Sequence, residues 1–345
     1  MNEVAPVEQV GPGTPAGMLL RQHWLPVALS AEVPAGEARP MRVLGEDLTL
    51  YRDAGGAAHV VGARCPHRGT LLHTGWVEDD CIRCSYHGWR FDASGQCVEQ
   101  PAEQPGFAAA SRIDSHPVED YAGMVFVHLG DGDPPPLPRY PELDAPATRV
   151  VASIRPPGPW PINYFQALEN NVDPVHLSFV HRASEPFTRE VPEVRAERTP
   201  DGIAMTAVRG GVARRTHYWF PLMIQLPLYL IPGDRTEFPF FNWPVPVDDT
   251  HTTFIAATAI PEHLADRVRP DIAGRTMEPS AAAALLAGTR RPASVTEEDY
   301  VAMVGQGTIA DRKHERLGRS DVGIVELRRL WRERLAEATA GTAAG

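Results

Sequence analysis

Two short loops constrain this chain more than anything else in it. Residues 65–89 read "CPHRGTLLHTGWVEDDCIRCSYHGW", setting Cys65-x-His67 and Cys84-x2-His87 sixteen residues apart. The whole chain has four cysteines, so their placement beside histidines asks for an explanation. A disulfide framework is a poor one. The first ten residues are acidic and lack the basic, apolar and small-residue regions of a signal peptide. A cytoplasmic location is therefore expected, where thiols stay reduced. Tetrahedral zinc would use the same four side chains, but Cys-x-His is shorter than the usual knuckle spacing. Cys81-x2-Cys84 makes a better half-site, yet no second cysteine pair completes it. The blandest reading buries the cysteines as small apolar residues and leaves the histidines on the surface.

A further reading uses all four side chains. In a Rieske [2Fe–2S] centre two cysteines hold one iron and two histidines hold the other. Each loop would contribute one of each, and a Cys and His separated by one residue can straddle a binuclear cluster. Gly69 and Gly88 follow the ligands closely, where the backbone must pass near the sulfides. Imidazole in place of thiolate removes negative charge, which makes such a cluster easier to reduce. The string "CPHRG…CSYHGWRFDASGQC" resembles the Rieske signature of aromatic ring-hydroxylating oxygenases, including the His-Gly-Trp of the second loop. The resemblance implies that Cys65, His67, Cys84 and His87 are the cluster ligands. Cys81 and Cys97 match no ligand position and are expected to be packing residues.

The rest of the chain is arranged around that segment. "MRVLGEDLTLYRD" (41–53) alternates about a Gly-Glu-Asp turn and predicts a hairpin; "YAGMVFVHL" (121–129) predicts another strand. The run "GDGDPPPLPRYPEL" (130–143) continues neither a helix nor a central strand. A boundary near residue 140 follows, dividing the chain into 1–140 and 141–345. In the second part, 160–182 looks helical despite Asp173-Pro174. The stretches 216–231 and 252–260 look like strands. Residues 320–340 form a helix with Ile324, Leu327, Trp331 and Leu335 at helical spacing and Ser320 as its cap. The expected class is α+β, with a small all-β domain first. A net charge of -11 argues against nucleic acid or an anionic membrane as partner. No apolar stretch is long enough to span a bilayer.

A second constellation lies in "ENNVDPVHLSFVH" (169–181), which carries Asp173, His176 and His181 within nine positions. Two imidazoles and a carboxylate with open positions make the facial triad of non-haem Fe(II) oxygenases. Alone, such a trio is more often a set of surface or satisfied core residues. Five residues also separate His176 from His181, about 140° around an ideal helix, so a π-bulge or helix break is expected between them. Beside the first signature, the segment resembles the Asp/Glu-x3-Asp-x2-His-x4-His motif of the same oxygenases, with Glu169 in its first slot. That implies His176 and His181 as iron ligands. "TEEDYVAMVGQGTIADRKHERLGRSDVGIVELRR" (296–329) resembles the corresponding segment of phthalate dioxygenase-type enzymes. Its Glu-Asp pair implies Asp299 as third ligand, with Glu298, Asp311 and Asp321 as alternatives. For Asp173 the family implies a link between His176 and the Rieske histidine, His87, of a neighbouring subunit, with Asn170 as a further partner. A cap ahead of Pro174 is its plainer role.

The resemblance thus implies the oxygenase component of a Rieske non-haem iron oxygenase. Its fold would be an N-terminal Rieske domain followed by a catalytic domain whose antiparallel sheet is gripped by helices. The implied cofactors are a [2Fe–2S] cluster and a mononuclear Fe(II), and the implied assembly is a homotrimer. "GPGTPAG" (11–17) lacks the spacing of a dinucleotide site, and no C-x4-C-x2-C run is present. Electrons are therefore expected from a separate NAD(P)H-dependent flavin reductase, with or without a fused ferredoxin. The implied substrate is aromatic, often an aryl carboxylate, for which Arg209, Arg214 or Arg215 would be a partner. The outcome stays open between dihydroxylation, monohydroxylation and O-demethylation. Residues 185–295 are expected to line the pocket, with His217, Trp219, Asn242 and Trp243 as candidates. The alternative functions are a Rieske electron carrier or degenerate binding protein with a dead mononuclear site, and a zinc-stabilised structural protein.

Overall fold

The computed structural model describes residues 6–342 apart from 105, 156–157, 183–188, 232 and 269–276. The chain forms two compact units, one spanning Arg21–Pro138 and the other combining Met1–Leu20 with Arg139–Gly345. The expected division at residue 140 is two residues from this boundary, but the first twenty residues were expected in the wrong unit. Their described part is tied to the later one. Val10 N donates to Asp249 Oδ1 at 2.8 Å, the Asn163 amide donates to Glu8 O at 2.9 Å, and Arg312 pairs with Glu8 at 3.2 Å. Long-range partners of this kind leave no mark in the local sequence.

The Arg21–Pro138 unit is all-β. Its strands are β1 (Leu25–Leu29), β2 (Ala38–Val43), β3 (Glu46–Arg52), β4 (Ala58–Gly62), β5 (Trp76–Glu78), β6 (Cys81–Arg83), β7 (Arg90–Phe91), β8 (Cys97–Glu99), β9 (Ser115–His116), β10 (Val118–Tyr121) and β11 (Met124–Val127). They form three antiparallel sheets, ordered β1-β11-β10, β2-β3-β4-β9 and β5-β6-β7-β8. Two hairpins turn on two residues with positive φ: Leu44-Gly45 (49° and 74°) and Ala122-Gly123 (54° and 77°). This backbone twist matches that of the flanking strands. The first hairpin was expected at Gly-Glu-Asp; in fact Glu46 and Asp47 already belong to β3. Tyr51, Val61, Leu72, Ile82 and Phe91 form a core that also contains Cys65, Cys84 and Cys97, and Cys81 is buried as well.

The other unit is built on a seven-stranded antiparallel sheet. Its members are β12 (Thr148–Ile154), β13 (Glu193–Thr199), β14 (Gly202–Arg209), β15 (Val212–Trp219), β16 (Met223–Tyr229), β17 (Glu237–Asp248) and β18 (His251–Pro261), in the order β12-β18-β17-β16-β15-β14-β13. The predicted strand 216–231 is two strands, since β15 ends at Trp219 and β16 begins at Met223. The helices are α1 (Pro15–Arg21), α2 (Pro141–Asp144), α3 (Tyr164–Asn171), α4 (Pro279–Leu286), α5 (Val295–Val304) and α6 (Val322–Thr342). Helix α3 packs on β17 and α5, and α6 packs on β13 and β14. This is the expected α+β class, an all-β unit and a unit whose antiparallel sheet is packed by helices.

Two local expectations fail for identifiable reasons. The helix foreseen over 160–182 stops at Asn171, and only a 3-10 turn follows at His176–Ser178. Pro174 lacks a donor and disfavours helical backbone at Asp173, whose Oδ1 instead accepts from Val175 N at 2.8 Å. Ser320 is not the cap of α6. It lies in a 3-10 turn where Asp321 accepts from Gly318 N, and α6 begins at Val322. The apolar face of α6 behaves as foreseen: Leu327, Trp331 and Leu335 are buried. Trp331 meets Tyr164 and Phe165 of α3 edge-on, at ring separations of 5.8 and 5.6 Å. Burying side chains of this size is worth ~1.5–3 kcal/mol each, which fixes α3 and the residues that follow it.

Candidate metal centres

The first centre rests on two loops with one backbone design. Cys65 N donates to Thr70 O (2.9 Å) and Gly69 N returns to Cys65 O (2.9 Å). In the second loop Cys84 N donates to Trp89 O (2.8 Å) and Gly88 N returns to Cys84 O (3.1 Å). Each loop closes through a glycine with φ near +75°, a conformation costly for any residue with a Cβ. The second loop is also pinned from beneath, since Arg83 Nη1 donates to Gly88 O at 2.8 Å while its other nitrogens hold Glu78 and Glu99.

The loops pair the side chains singled out in the sequence, cysteine with cysteine and histidine with histidine. Cys65 and Cys84 are buried and lie against each other. The His67 and His87 rings are 4.5 Å apart and closer to solvent, and His67 stacks on Trp89 at 4.7 Å. Burial, together with Cys84, pushes the Cys65 thiol well above its ordinary pKa. A bare thiolate is therefore penalised there, and a metal's positive charge is what would make it the favoured form. Buried sulfur donors behind paired imidazoles fit a cluster with one thiolate-held and one histidine-held iron. Cys81 Sγ lies 3.2 Å from Asp80 Oδ1, and Cys97 Sγ lies 3.5 Å from Glu99 O; each has a local packing role.

The second centre draws on three separated segments. The main chain leaves α3, breaks at Pro174 and carries His176 and His181 inward, with ring centroids 5.3 Å apart. Helix α5, capped by the Ser294 hydroxyl on Glu297 N (3.2 Å), presents Asp299 to them from its first turns. Donor atoms of His176, His181 and Asp299 all lie within 4.8 Å of one another.

Hydrogen bonds set the orientation of both rings. His176 Nδ1 donates to the carbonyl of Asp173. His181 Nδ1 donates to Glu298 Oε2 at 2.9 Å. Both acceptors can only accept, so each histidine keeps its Nε2 lone pair for the interior. His181 Nε2 then stands 3.1 Å from Asp299 Oδ1, yet that buried oxygen forms no hydrogen bond. Two lone pairs facing each other at this distance require a cation between them or a proton on the ring. Burial lowers His181, but Asp299 and Glu298 outweigh it and raise its pKa. Burial alone would raise Asp299, yet His181, Arg155 and His176 hold it well below the carboxylate range. The donor set fits a divalent iron in a site of two histidines and one carboxylate.

The structure sorts the remaining candidates. Glu298 is the partner of His181 rather than a member of the converging trio. Asp311 caps Lys313 N and meets His314, and Asp321 caps Gly318 N. The Asp173 carboxylate caps Val175 N, with its Oδ2 4.0 Å from His176 Nδ1, while the direct bond to that ring comes from the residue's main chain. Glu169 turns out to be a buried hub. It receives Arg312 (2.9 Å) and Arg328 (2.7 Å), tying α3 to α6 and the segment before it. Sequence inspection also missed Arg155, whose Nη1 reaches Asp299 Oδ2 at 3.1 Å across 144 residues. No spacing rule relates positions that far apart.

A cavity opens beside His176, His181 and Asp299. One sheet face forms its floor: Met205 stands opposite Thr216, Ala207 opposite Arg214, and Leu226 opposite Phe240. Asn242 lines it as expected, but His217, Trp219 and Trp243 do not. Trp243 follows Asn242 on β17 and must point to the opposite face. Arg209 braces the His176 turn through Pro174 O (2.6 Å) and Glu190 O (2.8 Å), and Arg215 is exposed. Only Arg214 of the three arginines lines the cavity.

Comparison with known proteins agrees with this architecture. A family profile for the Rieske [2Fe-2S] domain matches residues 23–122. The chain is 31% identical to the 5,5'-dehydrodivanillate O-demethylase oxygenase subunit of Sphingobium sp., covering 93% of this chain and 77% of that one. It is 32% identical to phenoxybenzoate dioxygenase subunit alpha of Ectopseudomonas oleovorans (95% and 83% covered). It is 29% identical to the phthalate 4,5-dioxygenase oxygenase subunit of Pseudomonas putida (96% and 84%). The fold is that of dicamba monooxygenase (TM-score 0.71, 19% identity, 93% and 98% covered). It is equally that of the carbazole 1,9a-dioxygenase terminal oxygenase from Novosphingobium sp. KA1 (TM-score 0.69, 23% identity, 94% of each chain). With its cysteine–histidine loops and its converging trio in place, the chain belongs to the Rieske non-haem iron oxygenases, as an oxygenase subunit of the phthalate dioxygenase type.

Proposed function

We propose that Cys65, His67, Cys84 and His87 hold the [2Fe–2S] cluster and that His176, His181 and Asp299 hold the mononuclear iron, beside which an aromatic substrate is hydroxylated or O-demethylated. The observation that carries this reading is the convergence of three donor groups, two buried and one half-buried, at the edge of a largely apolar cavity. When bound, the cluster supplies electrons one at a time and the mononuclear iron supplies the place where dioxygen is activated. The protein's part is to orient and to exclude. Asp173 O and Glu298 each hold a proton on the outer nitrogen of one histidine, so neither ring can present its N–H to the metal. Met205, Leu226, Leu228 and Phe240 keep water from an apolar ring.

Arg214 supports an aryl carboxylate as the substrate class. Among the described residues it is the one cation on a floor that also carries Met205, Ala207, Leu226 and Phe240, its Nη2 fixed on Pro227 O (2.8 Å) and its guanidinium 6.0 Å from the Tyr229 ring. A guanidinium so placed suits bidentate capture of a carboxylate while the ring extends toward the trio. Phenoxybenzoate and phthalate enzymes among the relatives agree with this choice. Electrons come from a separate reductase or ferredoxin, here assigned to an NAD(P)H-dependent flavin type, and the assembly to a homotrimer. In that trimer Asp173 would relay to His87 of a neighbouring copy. A reducing, cytoplasmic setting suits four unbridged, buried cysteines.

The test is the iron and acid-labile sulfide content of anaerobically purified, iron-reconstituted protein. About three irons and two sulfides per chain are expected, falling to about two irons with sulfide unchanged in Asp299→Ala. Zinc without sulfide would overturn the cluster assignment. Two irons in the wild type would overturn the mononuclear one. Substrate class is then read by screening benzoates, methoxybenzoates and their uncharged methyl esters with a reductase. Preference for the acids, lost in Arg214→Met, is expected.

A further inference from the structure

Arg155 makes the contact for which the reading so far has no use. It follows directly on β12, where its backbone N donates to Phe254 O at 2.9 Å. Its guanidinium lies 4.9 Å from the Phe254 ring and 5.5 Å from the Trp160 ring. From this apolar cradle it reaches Asp299 Oδ2 at 3.1 Å, both side chains being largely buried. Desolvating two charges is expensive, and a pair of this kind is seldom a net source of stability. A divalent cation held by His176, His181 and Asp299 would itself be the counter-charge for the carboxylate, so that need does not by itself call for the arginine.

The division of labour between the two carboxylate oxygens is the informative feature. Oδ2 is taken by Arg155, whereas Oδ1 faces His181 Nε2 and is buried without a hydrogen bond. We infer that Arg155 is a positioning residue that occupies Oδ2 and leaves Asp299 a single oxygen, Oδ1, with which to take the metal. This rests on His176, His181 and Asp299 being the iron site. A carboxylate free to turn both oxygens on the metal would fill one position more and leave one fewer for dioxygen and solvent. A charge-assisted hydrogen bond from a guanidinium held by two rings opposes that turn. The arginine also sets a fixed positive charge beside the site, which weakens metal binding by Coulomb repulsion. Arg155 thus trades metal affinity for an open coordination position.

That trade separates a positioning role from a merely structural one. Iron-loaded wild type and Arg155→Gln are compared by chelator competition for Fe(II) and by the electron paramagnetic resonance of the ferrous–nitric oxide adduct, the cluster being oxidised and silent. The variant is expected to bind Fe(II) more tightly, by at least roughly threefold, because a nearby cation is gone and a second oxygen is free. Its resonance should shift in rhombicity, and Arg155→Lys should return both readings part of the way. Weaker binding with an unchanged resonance would overturn the proposal and make Arg155 structural. Cluster absorbance and the melting temperature report whether the variant is folded. Should Arg155→Gln not accumulate, the crystal structure of the iron-loaded wild type decides. One Asp299 oxygen within bonding distance of the iron supports the inference, and two refute it. If the wild type binds no third iron at all, the site assignment itself has failed, a result distinct from either.

Discussion

The two proposed metal centres of this chain are built in opposite ways. At the cluster loops, each cysteine and its histidine lie within three residues, and a glycine in the left-handed region closes each turn with two main-chain hydrogen bonds. Local backbone geometry does nearly all of the positioning. At the second centre Asp299 comes from a helix more than a hundred residues beyond His181, and nothing local joins them. Buried charge does the work there: Glu169 under Arg312 and Arg328, Glu298 on His181, and Arg155 on Asp299. A locally built site tolerates change elsewhere in the fold, whereas a network-built one transmits it.

The sharpest way to break that contrast is Glu169→Ala. Removing the hub takes the shared carboxylate from two buried arginines and leaves Glu8 on Arg312 and Glu315 on Arg328, so the loss should stay below the ~3–5 kcal/mol of a buried pair broken outright. Chemical unfolding followed by tryptophan fluorescence should show that loss. Iron analysis should show the mononuclear iron leaving at lower denaturant than the cluster. Simultaneous loss of both would mean that the centres are not independently held.

Glu298→Gln is the next largest. It keeps a group opposite His181 Nδ1 but removes the charge that makes the imidazole a strong donor. An affinity for Fe(II) lower by about 10–100-fold is expected, with cluster absorbance untouched. Unchanged affinity would place the histidine's orientation under the control of packing alone.

Within the cluster loops, Gly88→Ala and Gly69→Ala should differ. Both force a Cβ into positive φ, worth roughly 1–2 kcal/mol. At Gly88 the new atom would also stand 3.2 Å from Pro101 Cγ, whereas at Gly69 it meets nothing within 4 Å. Thermal melts read at the cluster absorbance should therefore rank Gly88→Ala below Gly69→Ala. Equal losses would show that the turn conformation is the whole cost.

The smallest effect concerns pH in the Arg21–Pro138 unit. His116 Nε2 is buried without a hydrogen bond, and burial lowers its pKa against the opposing pull of Glu46 and Asp114. The unfolded chain then binds a proton near pH ~6.5 that the folded unit resists, so stability is full above that pH and declines below it. His116→Gln should flatten the fall in melting temperature between about pH 7 and pH 5.5. A slope identical to wild type would assign the acid sensitivity elsewhere.

What could be read without coordinates follows from the same contrast. The sequence by itself determined the class of fold, and it pointed to the loops of the proposed cluster, to the two histidines and, by likeness of segment, to Asp299 as proposed ligands, because ligand spacing, glycine placement and hydrophobic period are local properties. It also called for a distortion between His176 and His181, but it ran the helix on through Asp173-Pro174, where the chain in fact leaves α3 at Asn171. Tertiary structure decided the rest. It tied the described residues before Arg21 to the other unit, brought Arg214 alone of three arginines to the cavity, and separated Asn242 from Trp243 by the alternation of a strand. It alone disclosed Glu169 as a hub and Arg155 on the carboxylate. Charge pairs are made by proximity in space, and proximity across 144 residues is settled only when the sheet and its helices have closed around the site.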